Sequence, residues 1–274
     1  MHIVDLGSGP AVVLIPGVQG RWEWMRPAVE ALASSCRVIT FSLADEPAAG
    51  AGVDPAAGFE NFVTQVRDAI DERGVESAAI CGVSYGGLVA AAFACEYPQR
   101  TDALILVSAL PPDWQPDPRV RFYLRAPRLL SPIFCLASLR MYPEIAAAYG
   151  GYVAGAVPGI RHAWNVITHM FSPRRMAGRV TLLARAALAS RIRDISAPTL
   201  LVTGEPSLDR IVPVAKTLAY ERLCRDVQAK VIPRTGHIGL ITRPDVFAQV
   251  VTEFVSNVAA ERQFRPHDPR RQVG

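Results

Sequence analysis

Short apolar runs alternate with longer amphipathic stretches along most of this chain. Six runs read as strands: 11–16, 37–42, 77–84, 103–109, 199–204 and 229–233. Most are near-continuously apolar rather than alternating, the pattern of a strand covered on both faces. Apolar residues at helical spacing fill 22–34, 59–73, 86–97 and 214–224, and again 245–260 after the last run. This alternation predicts an α/β fold, a mostly parallel central sheet with helices on both faces. One interval breaks the rhythm. Residues 111–194 hold amphipathic helical stretches, prolines and bulky side chains but no strand-like run. They are expected to form a helical cap inserted into a core made of 1–110 and 195–260. Residues 261–274 are Arg- and Pro-containing with little apolar content, which predicts a disordered basic tail.

Composition narrows the class. A chain of 274 residues accommodates one α/β domain with an insertion, and 50% hydrophobic with 20% charged residues suits a soluble globular enzyme. Cys36, Cys81, Cys95, Cys135 and Cys224 are odd in number and scattered, with no zinc or disulfide spacing, so a reducing cytoplasm is the expected location. The start carries Asp5 and lacks the basic and apolar regions of a signal peptide. The longest uncharged stretch, 145–160, is interrupted by four glycines and Pro158, and is too short to span a bilayer.

The net charge of +4 is unevenly spread. Residues 111–194 contain twelve Arg and no Lys against Asp113, Asp117, Glu144 and Asp194, so this interval is +8 and the remainder −4. A solvated basic helical face is the plain reading; such a surface would also attract an anionic substrate or an anionic membrane. No nucleic-acid motif accompanies the charge, and nucleic acid is not an expected partner. The aromatic residues of the interval (Trp114, Phe122, Tyr123, Phe134, Tyr142, Tyr149, Tyr152, Trp164, Phe171) are expected to be mostly core.

The candidate chemistry starts at Gly82-Val83-Ser84-Tyr85-Gly86-Gly87. An apolar run meets Gly-x-Ser-x-Gly and continues into an Ala-rich helical stretch, which would lift Ser84 onto a sharp strand-to-helix turn with its hydroxyl exposed. Gly82 and Gly86 are expected to let strand and helix approach closely. A serine hydroxyl is a poor nucleophile until a base takes its proton, and that base must be oriented by a carboxylate. Of the five histidines, His237 follows a strand in Arg234-Thr235-Gly236-His237. His2 and His267 lie near the ends. His162 and His169 share a helical face in the interval 111–194, where packing or pocket lining is expected. The acid should follow the strand 199–204, where Asp209 is the leading candidate, with Glu205 and Asp113 as alternatives. Negative charge developing on a carbonyl oxygen needs preorganised N–H donors. Tyr85 should supply one, and Val18 (or Gln19), in Pro16-Gly17-Val18-Gln19-Gly20, the other. This loop lacks the spacing of a phosphate-binding loop, no dinucleotide fingerprint appears, and no metal or cofactor is expected.

Together these segments resemble the α/β-hydrolase family: Pro16-Gly17-Val18-Gln19-Gly20, Gly82-Val83-Ser84-Tyr85-Gly86-Gly87, Asp209-Arg210-Ile211-Val212-Pro213 and Gly236-His237, in the family's order across roughly 12–256. The chain departs from the family in having Pro16-Gly17 where His-Gly is common, in a longer stretch from Gly204 to Asp209, and in a start so close to the first loop that the leading strands should be largely missing. The resemblance implies that 111–194 is the variable lid, and that the protein hydrolyses a small carboxylic ester, thioester or lactone, anionic ones among the candidates. The same triad serves carbon–carbon bond hydrolysis and acyl transfer in the family. A non-catalytic ligand receptor on this fold is the reading from a different class.

Overall fold

All six expected strands form; the first five are apolar enough to be covered on both sides, and the sixth is an exposed edge. The computed structural model describes residues 1–130, 132, 138–169 and 172–264. Seven strands make one sheet: β1 (Ile3–Leu6), β2 (Ala11–Ile15), β3 (Arg37–Phe41), β4 (Ala78–Val83), β5 (Thr101–Val107), β6 (Thr199–Thr203) and β7 (Val227–Val231), in the order β1-β3-β2-β4-β5-β6-β7. All neighbours are parallel except β1, which runs antiparallel to β3. Central β4 is buried at every residue, with Ile80 opposite Val13 of β2 and Leu104 of β5.

The helices sort to the two faces as the strand alternation requires. On one face Val13, Ile15, Ile80, Leu104 and Leu106 pack against α2 (Glu60–Glu72) and α3 (Tyr85–Glu96). On the other, Val12, Leu14, Cys81, Ile105 and Val107 pack against α1 (Arg26–Leu32) and the C-terminal helix Pro244–Phe264. Helix α3 is buried all round from Tyr85 to Ala94, which its run of Ala and Gly permits by letting neighbouring backbones come close.

Between β5 and β6 the chain is helical among the described residues: α4 (Pro118–Arg125), α5 (Tyr142–Ala148), α6 (Ala156–Thr168), α7 (Pro173–Arg185) and α8 (Leu188–Arg191). Two further helices, α9 (Val214–Leu218) and α10 (Gly239–Thr242), precede the terminal helix, α11.

Several expectations need correction. A leading strand is present after all, because β1 finds an antiparallel edge on β3 and its Asp5 is held by Arg37 at 2.8 Å. Strand β7 begins and ends two residues early, since it is an exposed edge whose polar Gln228 and Lys230 hide it from an apolar pattern. Residues 261–264 continue α11 rather than opening a tail; good helix formers carry it on, and Arg262 pairs with Asp102. The rest of the expected tail, with His267, lies outside the described residues, as do Phe134, Cys135 and Phe171. The aromatic residues of 111–194 are not mostly core: Trp114 packs on the sheet core, but Phe122, Tyr149, Tyr152 and Trp164 are exposed. On α6 the exposure follows the helical repeat, with Val157, Ile160 and Trp164 sharing one outward face.

Candidate active site

In a parallel sheet the carboxyl ends of the strands lie along one edge, and loops leaving that edge meet. Ser84 follows β4, Val18 follows β2, Asp209 follows β6 and His237 follows β7.

Ser84 sits between the last residue of β4 and the first of α3 with φ 53° and ψ −112°, a left-handed backbone that a side chain rarely adopts. The turn is held by the Ser84 N–H donating to the Val107 carbonyl at 2.9 Å, and by the Ser84 carbonyl accepting from Gly87 at 3.0 Å. Its tightness explains the flanking glycines. A Cβ on Gly82 would lie 2.2 Å from the Gly86 carbonyl oxygen, and one on Gly86 would lie 2.5 Å from that of Pro16. The Ser84 side chain makes no cap hydrogen bond to α3, and no hydrogen bond joins its hydroxyl to His237 in this structure.

Asp209 reaches His237. Asp209 Oδ2 lies 3.5 Å from His237 Nδ1, and both atoms are buried without another partner. That separation is long for a hydrogen bond, and such contacts commonly tighten only when substrate is bound. The other carboxylate oxygen, Oδ1, accepts the N–H groups of Ile211 (3.0 Å) and Val212 (2.9 Å), which fixes the carboxyl plane. Burial pushes the Asp209 carboxyl up, but the His237 imidazole and these two N–H groups outweigh it and hold the group below its ordinary 3.8. The longer stretch before Asp209 coils into a turn, with Leu208 and Asp209 N–H groups donating to the Glu205 carbonyl at 2.9 and 3.0 Å. The alternative acids are elsewhere. Glu205 Oε1 accepts the Arg234 N–H at 2.7 Å, and Asp113 is exposed.

The two expected N–H donors follow neighbouring strands, Tyr85 after β4 and Val18 after β2. Tyr85 opens α3, where first-turn N–H groups have no partner within the helix. Val18 lies in a turn closed by the Gly20 N–H donating to the Gly17 carbonyl at 2.9 Å. His162 and His169 pack against Trp24: His162 stands edge-on to its ring, and the His169 carbonyl accepts its indole N–H at 3.0 Å. His2 packs over Gly50. Among the described residues no group of three or more His, Cys, Asp or Glu side chains is placed to hold a metal ion, and no helix is long and apolar enough to cross a membrane.

Two charged residues of the segment between β5 and β6 come in from outside the sequence prediction. Glu144 on α5 is buried, and its Oε1 accepts the N–H of Ile238, the residue after His237, at 2.7 Å. Burial raises its carboxyl to about 7 against the pull of the Gly236 and Ile238 N–H groups and His237, while Asp209 adds to the rise. Arg179 on α7 is fully buried and bonded to Asp45, Glu46 and the Val18 carbonyl. The available signals were slight: a lone acid in an apolar stretch, and one Arg among twelve. Of those twelve, Arg175, Arg179 and Arg191 are engaged by carboxylates, of Glu46, of Asp45 and Glu46, and of Glu60 and Glu96 respectively. Arg119, Arg121, Arg125, Arg140, Arg161 and Arg174 are exposed.

Known proteins resemble this chain in sequence and in fold. A 2-hydroxy-6-oxo-6-phenylhexa-2,4-dienoate hydrolase of Burkholderia cepacia is 26% identical, over 94% of this chain and 91% of its own. A pimeloyl-[acyl-carrier protein] methyl ester esterase of Aeromonas hydrophila is also 26% identical, over 93% and 99%. The crystal structure of the enol-lactonase from Burkholderia xenovorans LB400 superposes with a TM-score of 0.77 at 18% identity, covering 93% of this chain and 96% of that one. The model of the alpha/beta hydrolase family matches residues 12–250, and with the sheet order and strand directions found here, the chain belongs to that family.

Proposed function

We propose that the protein is a serine hydrolase that cleaves a carboxylic ester, or a related thioester or lactone, through an acyl-enzyme on Ser84. The observation that carries this reading is the buried Asp209–His237 pair on the same sheet edge as a serine held at a strained strand-to-helix turn. His237 takes the Ser84 proton as Oγ attacks the carbonyl carbon, and Asp209 keeps the imidazole oriented and stabilises its charged form. The oxyanion that forms is met by the Tyr85 N–H and by that of Val18. His237 then protonates the leaving alcohol, and a water deprotonated by His237 releases the acid and restores Ser84. Helices α4 to α8 act as a cap that shapes the pocket, and their exposed arginines suit an anionic substrate. The free cysteines Cys36, Cys81, Cys95 and Cys224 fit a reducing, cytoplasmic setting.

A second reading is favoured by the relatives named as hydrolases of 2-hydroxy-6-oxo dienoates. Such compounds carry a ketone and a carboxylate but no ester, so their hydrolysis breaks a carbon–carbon bond. The same residues would serve. A panel of p-nitrophenyl esters of rising acyl length, set beside 2-hydroxy-6-oxo dienoates, separates the two by kcat/KM. Full activity of Ser84→Ala on every substrate cleaved by the wild type would defeat both.

A further inference from the structure

Arg179 joins three segments that are far apart in the chain. It projects from α7, and its Nε and Nη2 donate to Asp45 Oδ1 at 2.9 and 2.6 Å. Nη2 also donates to Glu46 Oε1 at 2.6 Å, and Nη1 donates to the Val18 carbonyl at 2.6 Å. Asp45 and Glu46 follow β3, whereas Val18 belongs to the turn after β2. The guanidinium lies directly on Gly20, whose φ is +79°; a Cβ there would stand 2.3 Å from Nη1 and 2.4 Å from Cζ. That glycine therefore leaves the space the guanidinium occupies.

A buried ion cluster of this kind is weak evidence for stability, since desolvation offsets much of the attraction. Its geometry has a more specific consequence. In a planar trans peptide the C=O and N–H point in opposite directions, so fixing one aims the other. The Gly17–Val18 peptide is held by its carbonyl, through Gly20 N–H at 2.9 Å, and the next peptide, Val18–Gln19, is held by its carbonyl through Arg179. The Gly20 contact aims the Val18 N–H and the Arg179 contact aims the Gln19 N–H, the alternative donor, so Arg179 acts on the Val18 N–H by pinning the residue between the two peptides. The cluster also lies beside the second donor residue. The Tyr85 hydroxyl is buried without a hydrogen-bond partner, and burial raises its phenol, with Arg179 opposing and Asp45 adding to the rise.

We propose that Arg179 is a positioning residue that holds the 17–20 turn in the orientation needed to receive an oxyanion, so that the helices between β5 and β6 help to build the catalytic machinery. This rests on the hydrolase reading above. A bidentate fork reaching a carboxylate and a carbonyl together is a guanidinium property that an ammonium does not reproduce.

The test compares wild type, Arg179→Lys and Arg175→Gln on an ester that the wild type cleaves. Arg175 touches Glu46 at 3.3 Å in the same cluster but makes no hydrogen bond to Val18. Removing an oxyanion donor outright typically costs about 10²–10³ in kcat; misaiming one should cost roughly 10- to 100-fold. The expected result for Arg179→Lys is that loss in kcat with KM within about threefold. A boronic acid that mimics the tetrahedral intermediate should weaken by a similar factor, while the carboxylate product inhibits as before. Arg175→Gln should keep kcat within about twofold. If Arg179→Lys does not fold, Gly20→Ala carries the same expectation, because it keeps every ionic group and displaces the guanidinium from the turn. Wild-type kcat in a folded Arg179→Lys, or equal losses in Arg179→Lys and Arg175→Gln, overturns the proposal. Absence of Ser84-dependent activity in the wild type would instead overturn the hydrolase reading.

Discussion

Replacing Glu144 by Gln should make the protein more stable at alkaline pH and barely change it at acid pH. The side chain is buried on α5 and accepts the Ile238 N–H at 2.7 Å, and among the described residues no lysine or arginine forms a salt bridge with it. Its carboxyl is raised from an ordinary 4.5 to about 7, chiefly by burial. The folded state therefore holds this proton more tightly than the unfolded chain does. Below about pH 4.5 both states are protonated and the group is neutral to stability. As pH rises from there towards 7, the unfolded chain loses the proton first, and stability falls; above 7 both states are charged and the cost is constant. At about 1.4 kcal/mol for each tenfold change in proton affinity, the total is about 3 kcal/mol. Gln keeps an acceptor for the Ile238 N–H and carries no charge. The assay is denaturant unfolding of both proteins at about pH 5 and pH 8, where contributions common to both cancel in the difference. The stability of Glu144→Gln relative to wild type should rise by about 2–3 kcal/mol between those two pH values. A difference that does not change with pH would refute the reasoning, and one that changes in the opposite direction would mean that Glu144 is stabilised as a carboxylate.

Other outcomes follow from the same geometry. Asp209→Asn keeps the shape of the side chain but no longer selects the imidazole tautomer, and kcat should fall by about 10⁴-fold with little change in KM; retention of activity within tenfold would move the acid to another residue, Glu205 first. Gly82→Ala places a Cβ 2.2 Å from a backbone oxygen that cannot rotate away, and should cost about 2–3 kcal/mol in unfolding free energy together with activity. An unchanged melting temperature in that variant would contradict the account of the turn.

What could be read from the sequence was what depends on neighbours along the chain. Strands β2 to β6 were legible because burial on both faces leaves little room for polar residues. The edge strands were less so, since β1 is four residues long and β7 carries Gln228 and Lys230 outward. Ser84, Asp209 and His237 could be picked out by their place after strands, a local property. Which acid meets His237 was decided by the fold, which turns Glu205 towards the Arg234 backbone and Asp209 towards the imidazole. Glu144 and Arg179 were illegible for the opposite reason. Their partners Ile238 and Asp45 lie 94 and 134 residues away, and the residues around each position give only a slight sign that it is buried. The helices between β5 and β6 expose much of their aromatic content, so apolar spacing there did not report a core.

The account stands on Ser84 being a nucleophile activated by His237, and covalent labelling measures that directly. The folded wild type is treated with a fluorophosphonate and the adduct is located by peptide mass spectrometry, alongside Ser84→Ala and His237→Ala. The account predicts one adduct per chain, on Ser84, absent from Ser84→Ala and formed at least 100-fold more slowly in His237→Ala. Folded wild-type protein that takes no label, or takes it on another residue, would contradict it.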